Sequence, residues 1–149
     1  MNDTKNKLEL LIKNGIEYLS QTSEQDLSLK IADNKWSKKE ILGHLIDSGI
    51  YNIQRFTEIQ FEHKPYKIRN YKQNELVKSN TYKNADSKEI INFWWSINKR
   101  ILSLIQMQTE NTLSYKIELE KDNTYDLRFL INDYVDHLEH HLNQIIERS

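Results

Sequence analysis

The sequence predicts an all-α protein with the architecture of a four-helix bundle. Only three glycines and one proline occur among its 149 residues, so long helices can run without interruption. Four segments repeat apolar residues at the three- and four-residue spacing of a helix with one buried side. A chain of this length corresponds to one domain, and four amphipathic helices in one domain favour a single bundle over residues 1–149.

Apolar spacing and a capping motif mark the first two helices. The segment from about residue 4 to residue 20 carries apolar residues at helical spacing, and a polar stretch follows it. Ser37 and Glu40 then have the spacing of a capping box, in which each side chain accepts a hydrogen bond from the other residue's backbone. The second helix is predicted to begin there and to end near Glu62, before Pro65.

The second half of the chain contains two further long helices and one ambiguous stretch. In the connection after the second helix, a short helix is predicted at Asn74–Lys78. Asp86 and Glu89 have the spacing of another capping box, which begins the third helix. The fourth helix is predicted from about residue 126 to residue 148. Before it, Tyr115–Leu119 alternate as in a strand, which leaves a small hairpin open at this point.

Composition limits the classes of function. The net charge is −1 and no basic stripe occurs, so a nucleic-acid partner is not expected. The chain has no cysteine, so a metal site would need histidine, carboxylate, backbone or water ligands. No apolar run approaches the length of a membrane span and the N-terminus does not resemble a signal peptide. A cytoplasmic location without membrane contact is therefore expected.

Two histidines in the predicted last helix suggest a metal site. His137 and His141 are one turn apart and lie on the same side of the helix, whereas His140 is expected to face solvent. Two histidines are too few for a tight site, which usually has at least three protein ligands. His44, in the second helix, is the best candidate for the third.

His44 belongs to a polar stripe beside the apolar side of the second helix. Asp47, Tyr51 and Arg55 follow it at spacings of three, four and four residues, which places all four together on the helix. In the functional interpretation, Asp47, Tyr51 and Arg55 are candidate catalytic residues that orient a substrate beside the metal. In the alternative interpretation, this stripe is a hydrogen-bonded polar rim that sets the register of the helix.

Further polar and aromatic residues lie near these candidates in the predicted bundle. Asp133 and Gln144 are within reach of the histidine pair, where either can fix the tautomer of an imidazole. His63 is expected to be a solvated loop residue. Tyr66 and Tyr71 either line the mouth of a pocket or close the core.

Two segments resemble the signatures of a known family. Trp36–Ser48, with Asn52 and Arg55–Phe56, resembles the second-helix signature of the DinB-like superfamily, and Asp136–Ile145 resembles its last-helix signature. The resemblance extends over essentially the whole chain. It implies a four-helix bundle with an unusual crossover topology that is often a homodimer. Aromatic residues such as Trp95, which extend beyond one apolar side, also favour a homodimer.

The resemblance also implies a divalent metal centre. Members of the family commonly hold the ion with one histidine from the second helix and two from the last, and the matching positions are His44, His137 and His141. Members include metal-dependent hydrolases and thiol transferases that use bacillithiol or related thiols. The implied function is a metal-dependent enzyme that activates water or a low-molecular-weight thiol to attack a small-molecule substrate. Zinc, nickel, iron or manganese is the expected ion. The alternative is a non-catalytic stress-response bundle that binds metal or a small ligand.

Overall fold

Four long helices form the framework of the protein. A computed structural model describes residues 1–120 and 123–147. The long helices are α1 (Asn2–Gln21), α3 (Lys38–Glu58), α5 (Ser87–Gln106) and α7 (Leu127–Glu147). Among the described residues, three short α-helices connect them, α2 (Glu24–Ser28), α4 (Gln73–Ser79) and α6 (Glu110–Leu113), together with a 3₁₀-helix at Tyr82–Asn84. The predicted bundle and the predicted short helix α4 are confirmed, whereas α2 and α6 lie in segments for which the sequence predicts no helix.

The order of the helices around the bundle differs from their order in the chain. Both α1 and α3 pack against α5 and α7, so α1 lies diagonally opposite α3. The chain must therefore cross the end of the bundle between these two consecutive long helices. This crossover places α3 directly beside α7, and these are the two helices that carry the histidines of the predicted metal site.

The predicted cap at the start of α3 is present. The Glu40 N–H donates to Ser37 Oγ at 3.2 Å, and the Ser37 N–H donates to Glu40 Oε1 at 3.1 Å. At its other end α3 stops at Glu58, short of the predicted end near Glu62. The reason is a tightened last turn, in which the N–H groups of residues 60 and 61 bind carbonyls three rather than four residues earlier.

Asp86 caps α5 by accepting a hydrogen bond from the Glu89 N–H at 3.0 Å, so the predicted start of this helix is confirmed. Among the described residues, the reciprocal bond of a full capping box is not seen here. At the end of the chain, α7 runs to Glu147. The predicted last residue of this helix, residue 148, lies outside the described residues.

A small sheet ties the connection after α3 to the stretch before α7. The hairpin that the sequence left open is present, with β2 (Lys116–Glu120) antiparallel to β3 (Asn123–Asp126). A strand that was not predicted, β1 (Tyr66–Lys67), pairs parallel with β2, and the Ile68 N–H then donates to the Glu118 carbonyl at 3.2 Å. This pairing holds the segment 66–72 against the side of α3 that carries Tyr51 and Arg55.

The core lies between the four long helices. Trp94 of α5 is fully buried against Gly15 of α1, whereas the adjacent Trp95 remains 41% exposed. Between α5 and α7, the Tyr134 hydroxyl donates to Asn98 Oδ1 at 2.7 Å inside the bundle, which satisfies both polar groups. In the described part of the chain, no helix is both long and apolar enough to cross a membrane.

Candidate metal centre

Three histidine side chains converge where α3 packs against α7. His44 projects from α3, and His137 and His141 project from successive turns of α7. One nitrogen from each ring lies within 4.8 Å of the other two, and the three ring centroids are 4.5–5.0 Å apart. The adjacent His140 is exposed to solvent and is not part of this group.

The spacing of the donor atoms fits a shared ion. His44 Nε2 lies 3.2 Å from His137 Nε2. Two nitrogens that bind one tetrahedral zinc at the usual bond length are separated by roughly 3.3 Å. The third ring, His141, borders the same point from one turn further along α7. The residues present therefore fit a divalent ion with three imidazole ligands and at least one open position.

Burial keeps these imidazoles in the neutral form that a metal requires. Removal from water, with a smaller contribution from the neighbouring imidazole rings, lowers the pKa of His44 to about 3 and that of His137 to about 4. Burial also lowers the pKa of His141, against the opposing effect of its hydrogen bond to Gln144. All three rings are therefore uncharged near neutral pH, with lone pairs free to bind an ion.

Gln144 orients His141, as the sequence analysis anticipated for this position. Gln144 Oε1 lies 2.9 Å from His141 Nδ1. Because an amide oxygen can only accept a hydrogen bond, Nδ1 carries the proton and Nε2 presents its lone pair toward the other two rings. Asp133, the other candidate for this task, instead lines the wall of an adjoining cavity together with His137.

Trp36 covers another side of the centre, a role that the sequence analysis did not assign to it. Its ring lies 5.1 Å from the His44 ring. The tryptophan immediately precedes the capping residue Ser37, where an apolar residue normally packs back onto the first helical turns. The position of Trp36 before the cap therefore predicts packing on the helix, but it does not indicate that the ring also contacts His44, seven positions after the cap. Within the described part of the chain, His44 Nδ1 is buried without a hydrogen-bond partner.

A small polar cavity adjoins the histidines and a larger groove lies outside it. The cavity has a volume of about 70 Å³. Its lining residues are Ser48, Asn52, Arg55, Tyr71, Asp133, Tyr134 and His137. The groove has a volume of about 430 Å³ and includes Tyr51, Arg55, His63, Tyr66 and Arg69 in its wall. Arg55 lines both spaces.

Tyrosine and arginine side chains alternate along the boundary between the groove and the cavity. The Tyr51 and Tyr71 rings are 4.7 Å apart. The Arg55 guanidinium lies 5.6 Å from the centre of the Tyr71 ring, and that of Arg69 lies 5.3 Å from the centre of the Tyr51 ring. Tyr71 thus borders the cavity and Tyr66 the groove, as in the pocket-mouth interpretation. Tyr66 is also buried as part of the hydrophobic core, as in the alternative interpretation. His63 is exposed at the rim of the groove.

Asp47, the third candidate for orienting a substrate, lies apart from both spaces. It is 3% exposed, and its Oδ1 accepts hydrogen bonds from the Tyr82 hydroxyl at 2.5 Å and from the Asn80 amide at 2.9 Å. These bonds attach the segment between α4 and α5 to α3. For Asp47, these hydrogen bonds agree with the alternative interpretation of the polar stripe, in which its side chains fix the packing of the helix.

Comparison with known protein families identifies the family of this chain. A sequence model of the DinB superfamily matches residues 8–145. The chain belongs to the DinB superfamily. No curated protein sequence matches it.

Solved structures share this DinB fold at low sequence identity. YfiT from Bacillus subtilis, described as a probable metal-dependent hydrolase with an unusual four-helix bundle topology, superposes with a TM-score of 0.85 at 20% identity. That match covers 98% of this chain and 83% of YfiT. A mycothiol-dependent maleylpyruvate isomerase superposes with a TM-score of 0.71 at 12% identity, over 95% of this chain and 58% of the isomerase. A histidine-to-alanine variant of that isomerase gives a TM-score of 0.74 at 10% identity over the same shares of the two chains.

The buried Asp47 of this DinB protein makes a test of pH dependence possible. Burial raises the pKa of the Asp47 carboxyl above its ordinary value, against the opposing effect of the hydrogen bonds from Tyr82 and Asn80. A carboxyl with a raised pKa binds its proton more tightly in the folded state, so its contribution to stability is lost as the pH rises through that pKa. We therefore expect Asp47→Asn, which keeps an acceptor oxygen, to gain stability relative to the wild type as the pH rises above about 4, the ordinary pKa of an aspartate.

Urea unfolding at a series of pH values measures the free energy of unfolding of the wild type and of Asp47→Asn. The difference between the two proteins reports Asp47 alone, because the titrations of all other groups cancel. Asp47→Ala serves as the control, because Tyr82 and Asn80 then lose their acceptor at a cost of about 1–3 kcal/mol. A stability difference between Asp47→Asn and the wild type that stays constant with pH, or falls as the pH rises, contradicts this account of Asp47.

Proposed function

We propose that this protein is a metal-dependent enzyme in which a divalent ion, held by His44, His137 and His141, activates water or a low-molecular-weight thiol against a small-molecule substrate. The observation that carries the proposal is the convergence of three neutral, largely buried imidazoles beside a polar cavity. Three protein ligands with an open fourth position are typical of catalytic rather than structural zinc sites.

The side chains around the three histidines would hold the ion and shape the space next to it. When bound, a divalent ion lowers the pKa of a coordinated water or thiol, so that either becomes a nucleophile near neutral pH. Gln144 holds His141 in the tautomer that presents Nε2, and Trp36 covers one side of His44. The cavity beside His137 leaves one side of the centre accessible to a small reactant. Imidazole ligands suit zinc and nickel, with iron or manganese as alternatives.

The two similar proteins support the choice of reaction. YfiT is described as a probable metal-dependent hydrolase, and the isomerase depends on mycothiol, a thiol. Hydrolysis and thiol transfer are therefore the two reactions proposed here, and they differ only in the nucleophile. Tyr51 and Arg55, which line the groove and its boundary with the cavity, would orient the substrate. Asp47 would not contact the substrate and would contribute only by holding α3 in place through its hydrogen bonds with Asn80 and Tyr82.

Metal content and turnover together test the proposal. Protein purified without an affinity tag should contain close to one divalent ion per chain. It should cleave an activated ester, or couple a low-molecular-weight thiol to an alkyl halide. Treatment with a chelator should remove this activity, and zinc or nickel should restore it. Activity that persists after complete removal of the ion would contradict the proposal.

The size of the cavity favours a second candidate, a bundle that binds a metal ion without catalysis. Its volume of about 70 Å³ is well below the several hundred Å³ typical of ligand sites. The experiment above separates the two functions, because this candidate predicts a stoichiometric ion without turnover of either substrate pair. A homodimer and a cytoplasmic location remain predictions under both.

A further inference from the structure

Arg55 carries a half-buried positive charge that has no ion partner among the described residues. The side chain lies on the inner side of α3, and its Nε is buried without a hydrogen-bond partner among the described residues. Its Nη2 donates to the Arg69 carbonyl at 2.8 Å, and its Nη1 makes only a long contact of 3.5 Å with Asn52 Oδ1. Within the described part of the chain, no carboxylate oxygen lies within 4 Å of this guanidinium.

Such an arrangement is costly in the absence of a ligand. A charge removed from water loses its hydration, and an ion partner or several hydrogen bonds must replace it. Asp133, on the wall of the same cavity, offers only a longer-range attraction. The Tyr71 ring provides a further contact of modest strength. The guanidinium retains N–H groups that can bind the two oxygens of one carboxylate in the geometry that arginine favours.

The cavity beside Arg55 limits the group that can fill it. Its volume is about 70 Å³, whereas one water molecule accounts for about 30 Å³ of the liquid. This space admits a group of about three non-hydrogen atoms, which is the size of a carboxylate. Ser48 and Asn52 on the same wall supply neutral polar groups, and His137 lies at the side of the metal centre. Because Arg55 also lines the outer groove, the remainder of the same molecule can extend there.

We propose that this cavity is a carboxylate subsite, in which Arg55 binds the carboxylate of the substrate or thiol cosubstrate and so holds it beside the three histidines. This inference rests on the proposed function in one respect, because it assigns the bound carboxylate to a reactant of the proposed enzyme. The binding of the carboxylate by Arg55 does not itself require the ion. The two ideas can therefore be tested separately.

Acetate, with uncharged acetamide as its isosteric control, tests the subsite in the chelator-treated protein. Titrations followed by the amide resonances of residues 52–55 and 133–137 should show saturable binding of acetate and at least tenfold weaker binding of acetamide. Arg55→Met should weaken acetate binding at least tenfold. Arg100→Gln, which removes an exposed arginine on α5, should leave acetate binding unchanged.

Stability gives a readout that separates a binding role from a structural one. Because a half-buried charge without an ion partner is removed, Arg55→Met should be at least as stable as the wild type when no acetate is present. Acetate should then raise the melting temperature of the wild type but not that of Arg55→Met. If Arg55→Met does not fold, Arg55→Lys replaces it in the acetate titration. Folded Arg55→Lys that binds acetate more weakly than the wild type supports the inference. An Arg55→Lys protein that also fails to fold, or that binds acetate as tightly as the wild type, shows that Arg55 is structural and overturns the inference.

Equal binding of acetate and acetamide, or unchanged acetate affinity in Arg55→Met, overturns the carboxylate subsite. Failure of the metal proposal gives a different pattern, in which acetate binding is intact while no ion binds to the histidines. Conversely, stoichiometric metal without selective acetate binding leaves the metal proposal standing and rejects the subsite alone.

Discussion

Replacing His141 by alanine is expected to abolish stoichiometric binding of a divalent ion, whereas replacing His140 is expected to leave binding unchanged. His141 contributes one of the three converging nitrogens, and the exposed His140 contributes none. Loss of one of three ligands should weaken binding by more than about 100-fold, beyond the usual effect of residues that merely orient a ligand. Metal analysis after dialysis, together with titration of zinc or nickel into metal-free protein, measures both variants.

Gln144→Ala adds an intermediate case to this series. It removes the acceptor that holds the His141 tautomer but leaves all three ligands in place. Its affinity for the ion should fall by about 10–100-fold, between the values for the two histidine variants. Equal losses from His140→Ala and His141→Ala would show that the ion binds on another side of α7.

Gly43→Ala is expected to destabilise the protein strongly, although alanine is the better helix former. A methyl group at Gly43 would overlap the Tyr82 side chain at its Cβ, Cγ and Cδ2 atoms. The Tyr82 ring has little freedom to move away, because it is buried and its hydroxyl binds Asp47. Overpacking typically costs about 1–3 kcal/mol and occasionally more, and an overlap with three atoms of one ring belongs at the upper end of that range. The roughly 1 kcal/mol gained in helix propensity offsets only part of this cost. Urea or thermal unfolding measures the net loss.

A double-mutant cycle identifies the cause of this loss. Tyr82→Ala removes the ring that the new methyl group would overlap, so Gly43→Ala should cost less in that background than in the wild type. Additive effects of the two substitutions would instead mean that Gly43 matters for another reason. Since Gly43 immediately precedes His44, the metal affinity of the folded fraction also reports whether the displaced ring disturbs the site.

Local patterns in the sequence were sufficient to predict the helices and part of the site. The Ser37–Glu40 box and the Asp86 cap act within one turn of backbone, so their residues alone identify where α3 and α5 begin. The one-turn spacing of His137 and His141 places both on the same side of α7 wherever that helix packs. The exposure of His140 follows from the same geometry.

Packing between distant segments decided the rest, because helical spacing defines a side of a helix but not what covers that side. The packing of α3 against α7 brings His44 close to His137. The separation of Asp47 from the cavity depends on its hydrogen bond with Tyr82, which lies 35 positions later in the chain. The surroundings of Arg55 depend on β1, which pairs with a strand about fifty residues away and so carries the Arg69 carbonyl and the Tyr71 ring across α3. The sequence by itself determined which residues lie on each helix surface. The tertiary structure alone decided that, among the described residues, Arg55 has no carboxylate within ion-pair distance.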